Sequence, residues 1–124
     1  MKKFLYFIPA ILFYLLIFIL SSQDLGIRIH VHHLDKAVHM IEFAIMASLL
    51  SLGFFNVLNA STATKIIATF FFGLGLGVLD EFHQHYIPGR TMDAQDAAAD
   101  AVGVACGILI YLYLRKKRKQ AAKV

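Results

Sequence analysis

Four long apolar stretches divide the sequence, at residues 4–20, 37–58, 66–82 and 94–114. Each is close to the roughly 20 residues that a helix needs to cross a hydrocarbon core. The first stretch carries no charge. The other three gather their ionisable residues near one end: His39 and Glu42 open the second, Asp80 and Glu81 close the third, and Asp96 and Asp100 open the fourth. Lipid offers the peptide groups no water, so each stretch must satisfy its own backbone and is predicted to be a helix. The pattern predicts an all-α fold, a four-transmembrane-helix bundle forming a single domain over residues 1–124, with a basic tail at 115–124.

The first stretch follows Lys2 and Lys3, as the apolar core of a signal peptide would. Its seventeen residues exceed a signal peptide's usual run of roughly 7–15, and Leu20-Ser21-Ser22-Gln23 supplies no small-x-small cleavage site. It is therefore expected to stay as a membrane span, slightly bent at Pro9, one turn from its start.

Composition supports the membrane reading. The chain is 59% hydrophobic and 16% charged, with a mean hydropathy of +0.67, whereas soluble domains are about a quarter charged. The lone Cys106 excludes an intramolecular disulfide. Trp is absent, so Tyr6, Tyr86, Tyr111, Tyr113 and the phenylalanines must supply any interfacial aromatic belt. The net charge of +4 does not point to nucleic acid. Six basic residues (Arg115, Lys116, Lys117, Arg118, Lys119 and Lys123) follow the last apolar stretch directly, as a stop-transfer anchor does. Anionic membrane lipids are the expected partners, each basic residue near the surface contributing about 1 kcal/mol.

The basic residues also set an orientation. Four spans put both termini on one side, together with Lys2, Lys3, Lys65 and the six tail residues, nine in all; Arg28, Lys36 and Arg90 fall on the other. The positive-inside rule therefore predicts that both termini are cytoplasmic. All eight acidic residues (Asp24, Asp35, Glu42, Asp80, Glu81, Asp93, Asp96 and Asp100) and all six histidines (His30, His32, His33, His39, His83 and His85) then belong to the outer side.

Ionisable groups within spans cost on the order of 2.5–3.5 kcal/mol each on insertion scales and mark candidate functional sites. Helical spacing indicates which can meet. Asp35, His39 and Glu42 share a face of the second helix, with Lys36 one step round; Gly73, Gly77, Asp80 and Gln84 align on the third; Asp93, Asp96, Asp100, Gly103 and Gly107 form a stripe on the fourth. Gly73-x-x-x-Gly77 and Gly103-x-x-x-Gly107 permit close helix approach. A hairpin of the third and fourth helices is expected, with its glycines packed together and Asp80 and Gln84 facing Asp96 and Asp100. Pro88-Gly89 marks the turn, and Thr91 or Asp93 is expected to cap the fourth helix. Arg90, beside several carboxylates, is either their structural counter-ion or a fork for a phosphate or carboxylate ligand.

The candidate polar pocket therefore comprises Lys36, His39, Glu42, Asp80, Glu81, Gln84, Arg90, Asp96 and Asp100. Polar side chains also hold membrane helices together without further function, but this number of carboxylates must share protons, pair with bases or hold a metal. A divalent cation is chemically feasible, yet His39-x-x-Glu42 matches no specific metal motif, so neither a metal nor a cofactor is assigned. Residues 27–32 alternate apolar and polar, which suits a segment lying at the interface. No P-loop, Rossmann pattern or nucleophile triad is visible, since Gly73-Leu-Gly-Leu-Gly77 sits mid-span.

Asp80-Glu81-Phe82-His83-Gln84, then Pro88-Gly89-Arg90, Asp96, Gly103 and Gly107, resemble the signature of the VanZ-like family of small bacterial membrane proteins. So do Ser21-Ser22-Gln23 and Asp35-Lys36 with His39 and Phe43. The likeness spans about residues 10–114. Asp100 departs from it, standing where the family commonly has Asn. The resemblance implies a multi-pass protein of the bacterial inner membrane and stresses His39, Asp80, Glu81, Gln84, Arg90 and Asp96. The family takes its name from a protein associated with resistance to the glycopeptide teicoplanin; the resemblance supplies no reaction, and a resistance role here is analogy. Three functions follow for test: recognition of a lipid-linked or cell-envelope headgroup in an outer-face pocket, altering glycopeptide susceptibility; an enzyme acting on a lipid by carboxylate and histidine acid–base chemistry; or a proton-coupled transporter or structural protein.

Overall fold

A computed structural model describes residues 2–22, 32–88 and 93–123. A short 3-10 segment, Lys2–Phe7, leads into α1 (Ile8–Ser21); α2 (His32–Val57), α3 (Thr62–Gln84) and α4 (Ala94–Ala121) follow. All four helices are long and apolar enough to cross a membrane, counting the 3-10 segment with the first.

The helix ends follow local chemistry. Pro9 lies in the first turn of α1, where its missing N–H is no loss, and the change from 3-10 to α winding occurs there. Ser61 caps α3 by accepting the Thr64 N–H at 3.1 Å, and Asp93 caps α4 by accepting the Gln95 N–H at 2.8 Å. Asp93 is thus the cap of the two candidates; Thr91 lies outside the described residues. Three boundaries differ from the hydropathy reading by several residues; α3 begins at Thr62, four residues before its apolar run. The second helix begins at His32, five residues before its apolar run, and this extension carries Lys36 over α4. The basic tail is not a separate segment: α4 continues to Ala121. At 1.5 Å per residue its 28 residues reach about 42 Å, beyond a hydrocarbon core of about 30 Å.

Packing is organised around α2, which makes its most extensive contact with α4. Phe43, Met46 and Ala47 of α2 and Val104 of α4 are fully buried, joined by Leu50 and Ile108. Here the glycines separate into two roles. Gly103 and Gly107 lie directly beneath the backbone carbonyls of Met40 and Ala44 on α2, so they do not face α3 as the hairpin expectation had it. The physical reason is that α2 supplies backbone at those heights, and only a glycine surface admits backbone so closely. Ser48 Oγ donates across the same seam to the Gly107 carbonyl at 3.0 Å. Gly73 and Gly77 face α4 as expected, against Val104 and Asp100.

The two ends of the bundle differ in chemistry. At one, Phe7 packs under Gly53, and Lys65 and Arg115 lie over the ring of Phe55, 5.6 and 4.7 Å from its centroid. At the other, Ser21, Lys36, Gln84 and Asp93 come together. Cys106 and much of Phe71 and Phe72 are on the outer surface, in line with a lipid-facing role.

Candidate functional site

The acidic end is assembled from the end of α1, the first turns of α2, the last turns of α3 and the first turns of α4. Antiparallel connection of successive helices brings these four termini to one level. The alignments along α3 and α4 hold: Gly73, Gly77, Asp80 and Gln84 are all buried, as are Asp96, Asp100, Gly103 and Gly107.

The contacts form two linked groups. In the first, Lys36 Nζ donates to Asp96 Oδ1 at 2.9 Å and to Asp93 Oδ2 at 3.1 Å. His39 Nδ1 lies 3.1 Å from Asp100 Oδ1 and 3.9 Å from Glu81 Oε1. Glu81 Oε2 accepts the backbone N–H of Asp93 at 3.1 Å, tying the end of α3 to the cap of α4. In the second group, Asp80 Oδ2 accepts from Gln84 Nε2 at 2.8 Å and Asp80 Oδ1 from Ser21 Oγ at 3.0 Å. Burial is deep: Asp100 is 0% exposed, Asp80 and Glu81 1%, and His39 4%. Glu81 Oε1 and Asp100 Oδ2 have no hydrogen-bond partner among the described residues.

Of the residues singled out in the sequence, Lys36, His39, Glu81, Asp96 and Asp100 are therefore brought into one cluster, and Asp80 and Gln84 pair beside them. Glu42 lies three residues further along α2 and is half-buried. Arg90 lies outside the described residues, as do residues 27–31 of the interfacial segment expected at 27–32, whose last residue, His32, opens α2; the Asp35 side chain is also not described. The sequence placed Ser21-Ser22 in the family resemblance but gave α1 no part in the pocket. Besides the Ser21 bond to Asp80, Ser22 Oγ is 2.9 Å from His83 Nε2, and the His83 ring stacks on Phe18 with centroids 4.1 Å apart. Two adjacent hydroxyls closing an otherwise uncharged span were the available signal, since such groups hydrogen-bond across helices in membranes.

The sequence model of the VanZ/LLP1 family matches residues 1–115, nearly the whole chain and every residue of the cluster. The chain belongs to the VanZ/LLP1 family. No curated protein and no solved structure matches it. Family membership and four spanning helices together make it a multi-pass membrane protein. For this VanZ/LLP1 member, the arrangement is chemically able to do three things: hold a cation, place a His–carboxylate pair against a bound group, and recognise hydrogen-bond donors with partly satisfied carboxylates.

Proposed function

We propose that this VanZ/LLP1 protein resides in the bacterial inner membrane with its acidic end outward, and there recognises the headgroup of a lipid-linked or cell-envelope molecule. Through that recognition it alters susceptibility to glycopeptides such as teicoplanin. The observation that carries the reading is the concentration of Asp80, Glu81, Asp96 and Asp100, each 7% exposed or less, at one end of the spans beside Lys36 and His39. Such groups are expensive at membrane depth and far exceed what helix association requires. The outward orientation rests on the excess of basic residues at the opposite end.

The His39–Asp100 contact favours a second reading, in which the pair performs acid–base chemistry on a lipid. One comparison separates the two. Cells producing the wild-type chain, Asp80→Asn or Glu81→Gln are assayed for protein abundance, teicoplanin susceptibility and envelope lipids. Recognition predicts altered susceptibility with wild-type protein, loss of that effect in both variants at equal abundance, and an unchanged lipid profile. A new lipid or wall precursor that vanishes in the variants identifies the enzyme instead. Loss of abundance in both variants makes the cluster scaffold.

A further inference from the structure

Within the acidic end, one subset differs from an ordinary helix-packing contact. A ring nitrogen of His39 and a carboxylate oxygen from each of Glu81 and Asp96 all lie within 4.8 Å of one another, and all three residues are buried. They come from α2, α3 and α4, so tertiary packing and not local sequence spacing places them together. A separate observation points to a ligand. Glu81 Oε2 is held by the Asp93 N–H, while Oε1 has no hydrogen-bond partner among the described residues and lies 3.9 Å from His39 Nδ1. Leaving such an oxygen buried and unsatisfied is unfavourable unless something cationic reaches it. Asp100 Oδ1, 3.1 Å from Nδ1, takes that nitrogen and orients the imidazole, as carboxylates ordinarily do for metal-binding histidines, so the nitrogen the ring would offer an ion is Nε2.

We propose that His39, Glu81 and Asp96 bind one divalent transition-metal ion, with Zn²⁺ or Mn²⁺ the chemistry that fits. One imidazole nitrogen with two carboxylates suits these ions better than Ca²⁺ or Mg²⁺, which favour all-oxygen surroundings. Donors about 2.0–2.2 Å from a common ion stand closer together than the present spacing, so small side-chain adjustments close the site. Asp100 positions the imidazole, and Lys36 shares the Asp96 carboxylate with the ion. The ion lowers the net negative charge of a cluster in which Asp80, Glu81, Asp93, Asp96 and Asp100 outnumber Lys36 and His39. The proposal does not depend on the headgroup reading.

The test uses the full chain in detergent, stripped with chelator and titrated with Mn²⁺ by electron paramagnetic resonance, then competed with Zn²⁺. His30, His32 and His33 are replaced by Ala in a background variant to remove adventitious histidine sites. A single Mn²⁺ per chain is expected in both wild type and background, displaced by Zn²⁺. In that background Glu81→Gln, whose amide oxygen still accepts the Asp93 N–H, is expected to weaken binding by about 10-fold or more, as is Asp100→Asn. His85→Ala, on the exposed C-cap of α3, is expected to leave binding unchanged. Helical circular dichroism and a monodisperse elution profile check folding, and Asp96→Asn replaces Glu81→Gln if the latter fails them. X-ray absorption of the Zn²⁺-loaded background chain gives an independent readout, an imidazole within an N/O shell. The proposal is overturned by a folded wild-type chain that binds neither ion, by binding that survives both Glu81→Gln and Asp96→Asn, or by binding that disappears on replacement of His30, His32 and His33 alone.

Discussion

Gly107→Leu is expected to destabilise the bundle by about 3 kcal/mol, the upper end of the usual cost of overpacking. A Cβ at this position meets the Ala44 carbonyl directly and its carbon at 2.9 Å, and backbone cannot rotate away as a side chain can. The α2–α4 seam would have to open, which also separates Ser48 from the Gly107 carbonyl. The internal control is Gly75→Leu, at a position with nothing within 4 Å of a new Cβ. Thermal unfolding in detergent, followed by size-exclusion recovery, should show a large loss for Gly107→Leu and almost none for Gly75→Leu. Equal losses would mean that side-chain volume anywhere on these helices, and not backbone approach at the seam, limits stability.

His39→Ala is expected to be the most damaging change in the acidic end. It leaves Asp100, fully buried, without the nitrogen 3.1 Å from Oδ1, and removes the base nearest Glu81 Oε1. Breaking a buried pair from one side costs about 3–5 kcal/mol, because the remaining charge stays uncompensated. Asp100→Asn is expected to cost less, since its amide oxygen still accepts from the imidazole and the Glu81 carboxylate stays 3.9 Å from the same ring nitrogen. A double-mutant cycle makes the comparison quantitative: His39→Ala with Asp100→Ala should lose much less than the sum of the single losses. Additive losses would show that the two side chains are not energetically coupled.

How much of this was legible beforehand depends on the period of the signal. The four helices and the buried stripes of α3 and α4 follow from apolar length and the 3.6-residue repeat, both of which act locally. Asp80 and Gln84, or Asp96 and Asp100, share a face whatever surrounds them. Which helix each stripe meets is not local. Gly103 and Gly107 were expected against α3 because sequence neighbours make the simplest hairpin, yet they pack under α2, where backbone and not side chain fills the space. The Lys36 contacts to Asp93 and Asp96 required α2 to extend beyond its apolar run, where hydropathy is silent. Ser21 and Ser22 were hidden for a related reason: a hydroxyl shows its role only when its acceptor on another helix is known.

Headgroup recognition by the buried carboxylate cluster, as proposed for this VanZ/LLP1 protein, requires a bound envelope species. Native mass spectrometry of the chain extracted from bacterial membranes tests it most directly, comparing wild type with Glu81→Gln at matched folding. A lipid-linked envelope species is expected bound to wild type above the bulk phospholipids, and lost from Glu81→Gln. Bulk phospholipids alone on wild type, or the same bound species on both proteins, would contradict it.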